Sequence, residues 1–200
     1  ISPLVESSLQ QGLGKAYPAT LLPHHRSAIP LGPDRDAMML PFKRDWTGID
    51  HIKDVSYDHA NLKLDIYRPT RAVPNAPVLL HIHGGAWKVG EKYGQALPLM
   101  QAMTRLGWMC VSISYRLSPK ATFPDHIIDC KAALAWIKNH IQDYGGDPAF
   151  IAVTGGSAGG HLTGLMASTA NDPAFQPGFE DQDTTIQAAI PFYGPFDWTD

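Results

Sequence analysis

The sequence predicts an α/β domain in which a mostly parallel sheet carries helices on both faces. Short and almost continuous apolar runs at residues 78–83 and 109–115 are typical of strands buried on both sides. Amphipathic segments alternate with these runs up to residue 190, and this alternation is the signature of a parallel sheet. Right-handed crossovers would then bring the glycine-rich turns after two of the strands to one edge, where ligands bind.

The first part of the chain differs from the rest. Residues 1–50 are rich in proline and lack a sustained period, so we predict a lid or a segment that wraps over a domain of residues 51–200. From Asp54 the pattern alternates, and a turn at Ala60 and Asn61 separates two such runs. This pattern predicts a hairpin at the edge of the sheet.

Two helices precede the central motif. Pro98 can begin a helix and Gly107 can cap its end. The apolar face expected for this helix is Leu99, Met103 and Leu106. A second helix begins near Asp125, and Lys131 lies off its apolar stripe. The stripe has helical spacing and consists of Ile127, Cys130, Leu134, Ile137 and Ile141. After the central motif, an acidic loop at 171–185 leads into a strand at 186–190.

The central motif is a serine between a strand and a helix. Ser157 follows the apolar run 151–153, with Gly155 and Gly159 two residues away on each side. A strained turn between strand and helix needs such neighbours without a Cβ, so the pattern indicates a nucleophile elbow. A turn of small residues that only allows close packing is the alternative. No Gly-Lys-Ser/Thr follows, which argues against a phosphate-binding loop.

A second glycine cluster comes directly after the first buried strand. Gly84 and Gly85 leave backbone N–H groups unshielded at the carboxyl end of that strand. Such groups can stabilise an anion. The alternative is a plain turn between strand and helix.

Composition excludes several classes of function. With a net charge of −3, nothing indicates binding to nucleic acid or to an anionic membrane. No metal-ligand spacing and no run long enough to span a membrane appears, and we expect no cofactor. Cys110 and Cys130 lie in apolar stretches and are expected to pack and not to form a disulfide. A cytoplasmic location is favoured, while a removed upstream signal or anchor stays open.

Three ordered motifs resemble the hormone-sensitive-lipase-like esterases of the α/β-hydrolase fold. The first motif is His-Ile-His-Gly-Gly-Ala-Trp at 81–87, and the second is 115–119 together with Phe123, Pro124 and Asp129. The third is Gly-Gly-Ser-Ala-Gly-Gly-His at 155–161. The last is also similar to BD-FAE-like and arylformamidase-like relatives. The resemblance implies a carboxylic-ester hydrolase with Ser157 as nucleophile. It also implies an oxyanion hole formed by the N–H groups of Gly84, Gly85 and Ala158.

The motifs depart from the resembled pattern at two positions. Ala86 stands where a third glycine is usual, which should leave the oxyanion donors intact. Gly156 stands where the lipase-like group commonly has aspartate, and this leaves the acyl and leaving-group preferences open. His83 is expected to order the glycine loop by hydrogen bonding.

The acid and the base of the triad are expected after the serine in this fold. His81, His83 and His126 precede it, and His161 lies only four residues along the same helix, where we predict a structural role. Family members carry the acid and the histidine on further strands, so we expect these 200 residues to be the first two-thirds of a hydrolase and inactive alone.

The expected ligand is a small hydrophobic ester. The aromatic residues that either line its pocket or fill the core are Trp87, Phe192, Tyr193 and Phe196. The competing hypothesis is a hydrolase fold that binds a small molecule or a protein without turnover. The sequence does not fix the oligomeric state.

Overall fold

The computed structural model describes residues 45–57, 61–197 and 199, together with Ser7 and Gln11. The predicted wrapping segment at 1–50 lies almost wholly outside these residues and stays a prediction. Trp46–Asp200 form one compact unit. Its strands are β1 (Ile49–Ser56), β2 (Lys63–Pro69), β3 (Ala76–Ile82), β4 (Met109–Ile113), β5 (Gly146–Gly156) and β6 (Ala188–Phe192). Its α-helices are α1 (Leu97–Arg105), α2 (Asp125–His140) and α3 (Ala158–Ser168).

The strands form one sheet in the order β1-β2-β4-β3-β5-β6. The pairs β4–β3, β3–β5 and β5–β6 are parallel. At one edge of the sheet, β2 is antiparallel to both β1 and β4. This confirms the mostly parallel sheet that the sequence predicts. Because β3 and β5 are neighbours, with Ile82 opposite Gly155, both glycine-rich turns leave the same edge side by side.

Helices cover both faces because alternate strand residues point to opposite sides. On one face, Met100 of α1 packs with Leu79, Cys110 and Ala152. On the opposite face, α2 and α3 pack against the strand residues Leu80, Val111 and Val153. Leu134 of α2 and Leu162 of α3 belong to the same buried cluster. Both cysteines are buried and free, which confirms that they pack.

The buried faces predicted for α1 and α2 agree with the structure to different degrees. The stripe of α2 is confirmed, since all of its predicted residues are fully buried. The face predicted for α1 is confirmed only in part: Leu99 and Met103 pack against the core but are half-buried, whereas Met100 and Thr104 are fully buried. Thr104 can be buried because its hydroxyl donates to the Met100 carbonyl at 2.7 Å within the helix.

The edge hairpin is confirmed, but β1 begins at Ile49, before the predicted start at Asp54 and before the expected domain boundary at residue 50. The register shifts between Ile52 and Val55, and Asp54 adopts a φ of 58° there. A bulge of this kind interrupts the alternation of buried and exposed residues along a strand. The sequence pattern therefore predicts only the part of β1 that follows the bulge.

Lys131 of α2 is buried, although it lies off the apolar stripe. Its ammonium donates to the Thr169 carbonyl and to Gln176 Oε1, the latter at 3.3 Å. These contacts fix the loop after α3 to α2. No helix among the described residues has both the length and the apolar character needed to cross a membrane.

Candidate active site

Ser157 occupies the turn between β5 and α3 in a left-handed conformation, with φ 54° and ψ −120°. A residue other than glycine adopts positive φ only at a cost of about 1–3 kcal/mol, and such strain is typical of functional sites. Its N–H donates to the Phe192 carbonyl at 3.0 Å, so β6 supports the turn. The side chain is half-exposed, and Oγ makes no hydrogen bond with any residue that the structure describes.

The glycines two residues away on each side leave room for this turn. A Cβ on Gly159 would lie 2.1 Å from the Ile82 carbonyl oxygen. A Cβ on Gly155 would lie 2.6 Å from the same oxygen and 2.5 Å from the Gly159 carbonyl oxygen. Backbone atoms cannot move aside as a side chain can, so both positions require glycine.

Gly156 is covered by an aromatic side chain. A Cβ at this position would lie 2.5 Å from the hydroxyl oxygen of Tyr193, the residue that follows β6. This ring is 82% exposed and can swing away, so the contact does not by itself require glycine at position 156.

The glycine loop after β3 reaches the serine. A Cβ on Gly84 would lie 3.4 Å from Ser157 Cβ and 2.6 Å from the Gly156 carbonyl oxygen. The loop then turns tightly, because the amides of Lys88 and Val89 both donate to the Gly85 carbonyl at 3.0 Å. Within the described part of the chain, the amides of Gly85 and Ala86 have no hydrogen-bond acceptor.

The backbone amide of Gly84, one of the donors expected for the oxyanion hole, has a hydrogen-bond acceptor in this structure. It donates to Gln95 Oε1 at 2.9 Å, and Gln95 Nε2 donates back to the Gly84 carbonyl at 3.3 Å. Sequence reasoning missed Gln95. No local signal marks it, because it meets Gly84 only after the chain folds back.

His83 makes the kind of contact that the sequence analysis expected. Its Nδ1 lies 2.9 Å from the Gly84 carbonyl oxygen, and its ring stacks on Tyr115 with centroids 4.3 Å apart. The side chain is fully buried, and burial lowers its pKa. The imidazole is therefore neutral at pH 7 and can donate from Nδ1 to this carbonyl.

A cavity of about 520 Å³ borders the glycine loop and α3, and Ser157 is not among its lining residues. It lies between the glycine loop and the first turns of α3, which supply its walls on two sides. The lining residues are Ala86, Trp87, Lys88, Ser118, Phe123, His126, His161, Leu162 and Leu165. His161 packs edge-to-face on Trp87 at 5.4 Å, and burial lowers its pKa.

The aromatic residues noted in the sequence divide into two groups. Trp87 lines the cavity and packs partly against the core. Phe192, Tyr193 and Phe196 are exposed, so they neither fill the core nor line this cavity. Phe123, which the sequence analysis placed only in a motif, takes part in the wall.

A buried ion pair ties the segment after the glycine loop to the edge hairpin. Lys92 Nζ lies 2.9 Å from Asp65 Oδ1 and 2.8 Å from Asp54 Oδ1. His51 Nε2 contacts the other Asp65 oxygen at 2.9 Å. Burial raises the pKa of Asp65, but hydrogen bonds from the Asp54 amide, Lys92 and His51 outweigh it and lower the pKa overall.

We expect Asp65→Asn to lower the free energy of unfolding at pH 7 by about 3 kcal/mol, because it leaves the ammonium of Lys92 with a weaker partner in a buried site. The folded-state pKa of Asp65 lies below its unfolded value of 3.8. Its stabilisation is therefore present above that pH and is lost as the pH falls through the folded-state pKa. Urea unfolding at pH 7 and at pH 3 measures both effects.

The control is Asp50→Asn on the same hairpin, whose exposed carboxylate lies 3.5 Å from Arg68. An exposed pair contributes little, so this variant should unfold like the wild type. Equal losses for the two variants, or an Asp65→Asn deficit that persists undiminished at pH 3, would contradict the buried-pair interpretation.

The chain is similar in sequence to a protein family and to esterases. A family model described as BD-FAE matches residues 64–200. The chain is 58% identical over 163 residues to the probable carboxylic ester hydrolase LipM of Mycobacterium tuberculosis, covering 80% of this chain and 38% of that protein. It is 56% identical over 138 residues to the esterase LipQ of the same organism, covering 68% of this chain and 33% of that one. The chain thus spans well under half the length of these relatives.

Solved structures share the fold. A bifunctional GH43-CE protein of Bacteroides eggerthii superposes with a TM-score of 0.64 at 29% identity, over 74% of this chain and 21% of that one. A bacterial heroin esterase gives a TM-score of 0.55 at 29% identity, over 76% of this chain and 50% of that one.

Proposed function

We propose that this chain, which belongs to the BD-FAE family, carries the nucleophile and the oxyanion hole of a serine carboxylic-ester hydrolase. One observation carries the proposal: Ser157 stands in a strained turn between β5 and α3, half-exposed, with the glycine loop in contact with it. A turn of small residues that served only packing would have no need of a strained serine.

The proposed reaction is acyl transfer. Ser157 Oγ attacks the ester carbonyl carbon while a base takes its proton, and the carbonyl oxygen becomes an oxyanion. The intermediate collapses, the alcohol leaves with that proton, and water then hydrolyses the acyl-enzyme to the free acid.

The proposed oxyanion hole differs from the one expected from the motif. Since Gln95 holds the Gly84 amide, we assign the hole to the amides of Gly85 and Ala158, with Ala86 beside them. Ala158 is the first residue of α3, so its N–H has no acceptor within the helix and lies at the positive end of the helix dipole. Each such donor is typically worth about 10²–10³ in kcat.

The base and the acid come from outside the described residues in this proposal. The described histidines near the serine have other contacts: His83 Nδ1 lies at the Gly84 carbonyl oxygen, and His161 packs on Trp87. In this fold both groups follow the serine in the chain. The activity therefore belongs to the whole protein.

A small hydrophobic ester is the substrate class that the cavity favours. Trp87, Leu162 and Leu165 give it apolar walls, and no charged side chain except Lys88 lines it among the described residues. The names of the relatives, carboxylic ester hydrolase and esterase, agree with this class.

Labelling with an organophosphonate tests the proposal. We expect a p-nitrophenyl phosphonate to modify the full-length protein at one site, because the reagent traps an activated serine as a stable adduct. Mass spectrometry of the peptides should locate the adduct on Ser157. Labelling elsewhere, or none, would refute the nucleophile assignment.

The same experiment tests the alternative, a hydrolase fold that binds without turnover. The observation that favours this alternative is that His83 and His161, the described histidines near the serine, contact the Gly84 carbonyl oxygen and the Trp87 ring. A binder of this kind would hold a small ester in the cavity, seen by calorimetry, yet its serine would resist the phosphonate.

A further inference from the structure

We propose that Gln95 is a positioning residue that aims the Gly85 N–H at the oxyanion. The inference rests on the proposed function, because it assigns a role within the same oxyanion hole. Gln95 lies eleven residues after Gly84 and contacts it twice through one side-chain amide. Gln95 itself is exposed and has no part in the cavity wall.

Both backbone polar groups of Gly84 form hydrogen bonds with side chains. Its N–H donates to Gln95 Oε1 at 2.9 Å. Its carbonyl oxygen accepts from Gln95 Nε2 at 3.3 Å and from His83 Nδ1 at 2.9 Å. A carbonyl oxygen has two lone pairs, so these two donors saturate it.

The consequence follows from peptide geometry. In a trans peptide unit the C=O of one residue and the N–H of the next point in opposite directions. Gln95 and His83 draw the Gly84 carbonyl oxygen towards themselves, so the Gly85 N–H must point the other way. Gln95 therefore sets the orientation of a donor that it does not touch.

Two neighbouring features hold this arrangement. A Cβ on Gly90 would lie 2.4 Å from His83 Nδ1 and 2.5 Å from the Gly84 carbonyl oxygen, so the loop packs closely over the same contact. Three residues before Gln95, Lys92 is buried in its ion pairs with Asp54 and Asp65. The backbone from which Gln95 extends is thus anchored to the edge hairpin.

Steady-state kinetics of Gln95→Leu and Gln95→Glu in the full-length protein test the inference with a short-chain aryl ester. Leucine removes both contacts, whereas a carboxylate still accepts from the Gly84 N–H but cannot donate to its carbonyl. We expect kcat to fall by about tenfold in both variants, a part of the 10²–10³ that one oxyanion donor supplies. KM should change by less than about twofold, because the donor acts on the transition state.

The matched control is Gln142→Leu, which removes the same exposed side chain from the turn after α2. It should keep the wild-type kcat and KM. Gln95 variants that retain kcat, or that change only KM or only the unfolding midpoint, would overturn the inference while Ser157 labelling leaves the proposed function intact. If the wild type is not labelled at Ser157, the proposed function fails and this inference fails with it.

Discussion

Ser157→Ala should lower kcat of the full-length protein for a short-chain aryl ester by a factor on the order of 10⁶, the loss seen when the nucleophile of a comparable triad is removed. Without Oγ no acyl-enzyme can form, and only substrate binding and the oxyanion donors remain. Alanine also has a Cβ, so it tolerates the left-handed turn as serine does. The loss should therefore come without a change in stability, as initial rates and urea unfolding can check.

A second serine of the same helix provides the control. Ser168 ends α3 on the exposed side, and its Oγ donates to the Leu165 carbonyl at 3.3 Å. Ser168→Ala should keep full activity. If Ser157→Ala retained more than about one per cent of the wild-type rate, a factor of at most 10², the nucleophile would have to be another residue.

Gly159→Ala should destabilise the protein by about 3 kcal/mol, at the upper end of what overpacking costs. Its Cβ would lie 2.1 Å from the Ile82 carbonyl oxygen and 2.7 Å from that of His83, and neither is a flexible side chain. The helix and β3 must move apart, which also separates Ser157 from the glycine loop. We expect both the unfolding midpoint in urea and kcat to fall.

Gly164→Ala, one turn further along α3, is the matched control. There the added Cβ would meet Phe196 Cε1 at 2.7 Å, but this ring is 57% exposed and can swing away. Replacing a glycine inside a helix by alanine gains about 0.5–1 kcal/mol. The two substitutions should thus have opposite signs, and equal stability of the two variants would show that α3 does not depend on close contact with β3.

The serine turn could be predicted because its requirements are local. A strand, a serine with glycines at fixed spacing and a helix occupy one short stretch, and the Gly155 and Gly159 contacts lie within the reach of that stretch and the neighbouring strand. The α2 stripe was predictable for the same reason, since helical spacing alone decides which of its residues can share a buried face. The apolar pattern does not predict a buried polar residue such as Thr104, whose hydroxyl donates to a carbonyl of its own helix.

The glycine loop was predicted only in part. Its place at the carboxyl edge follows from the parallel sheet that the alternation of elements predicts. The strand order that sets β3 beside β5 is seen only in the structure. The use of its amides does not follow, because Gln95 reaches Gly84 from a different part of the chain. The burial of Lys92 against Asp65 is not predictable from the sequence for the same reason, because the two residues approach only once the edge hairpin has formed.

The sequence by itself determined the α/β sheet, the strained serine and the glycine positions around it, since each depends on periodicity or on backbone conformations that only certain residues accept. The tertiary structure decided which amide of the glycine loop donates to Gln95 and which residues line the cavity. The physical reason is that a hydrogen bond such as that between Gln95 and Gly84 requires two segments to meet, and their meeting is fixed by the packing of the whole sheet.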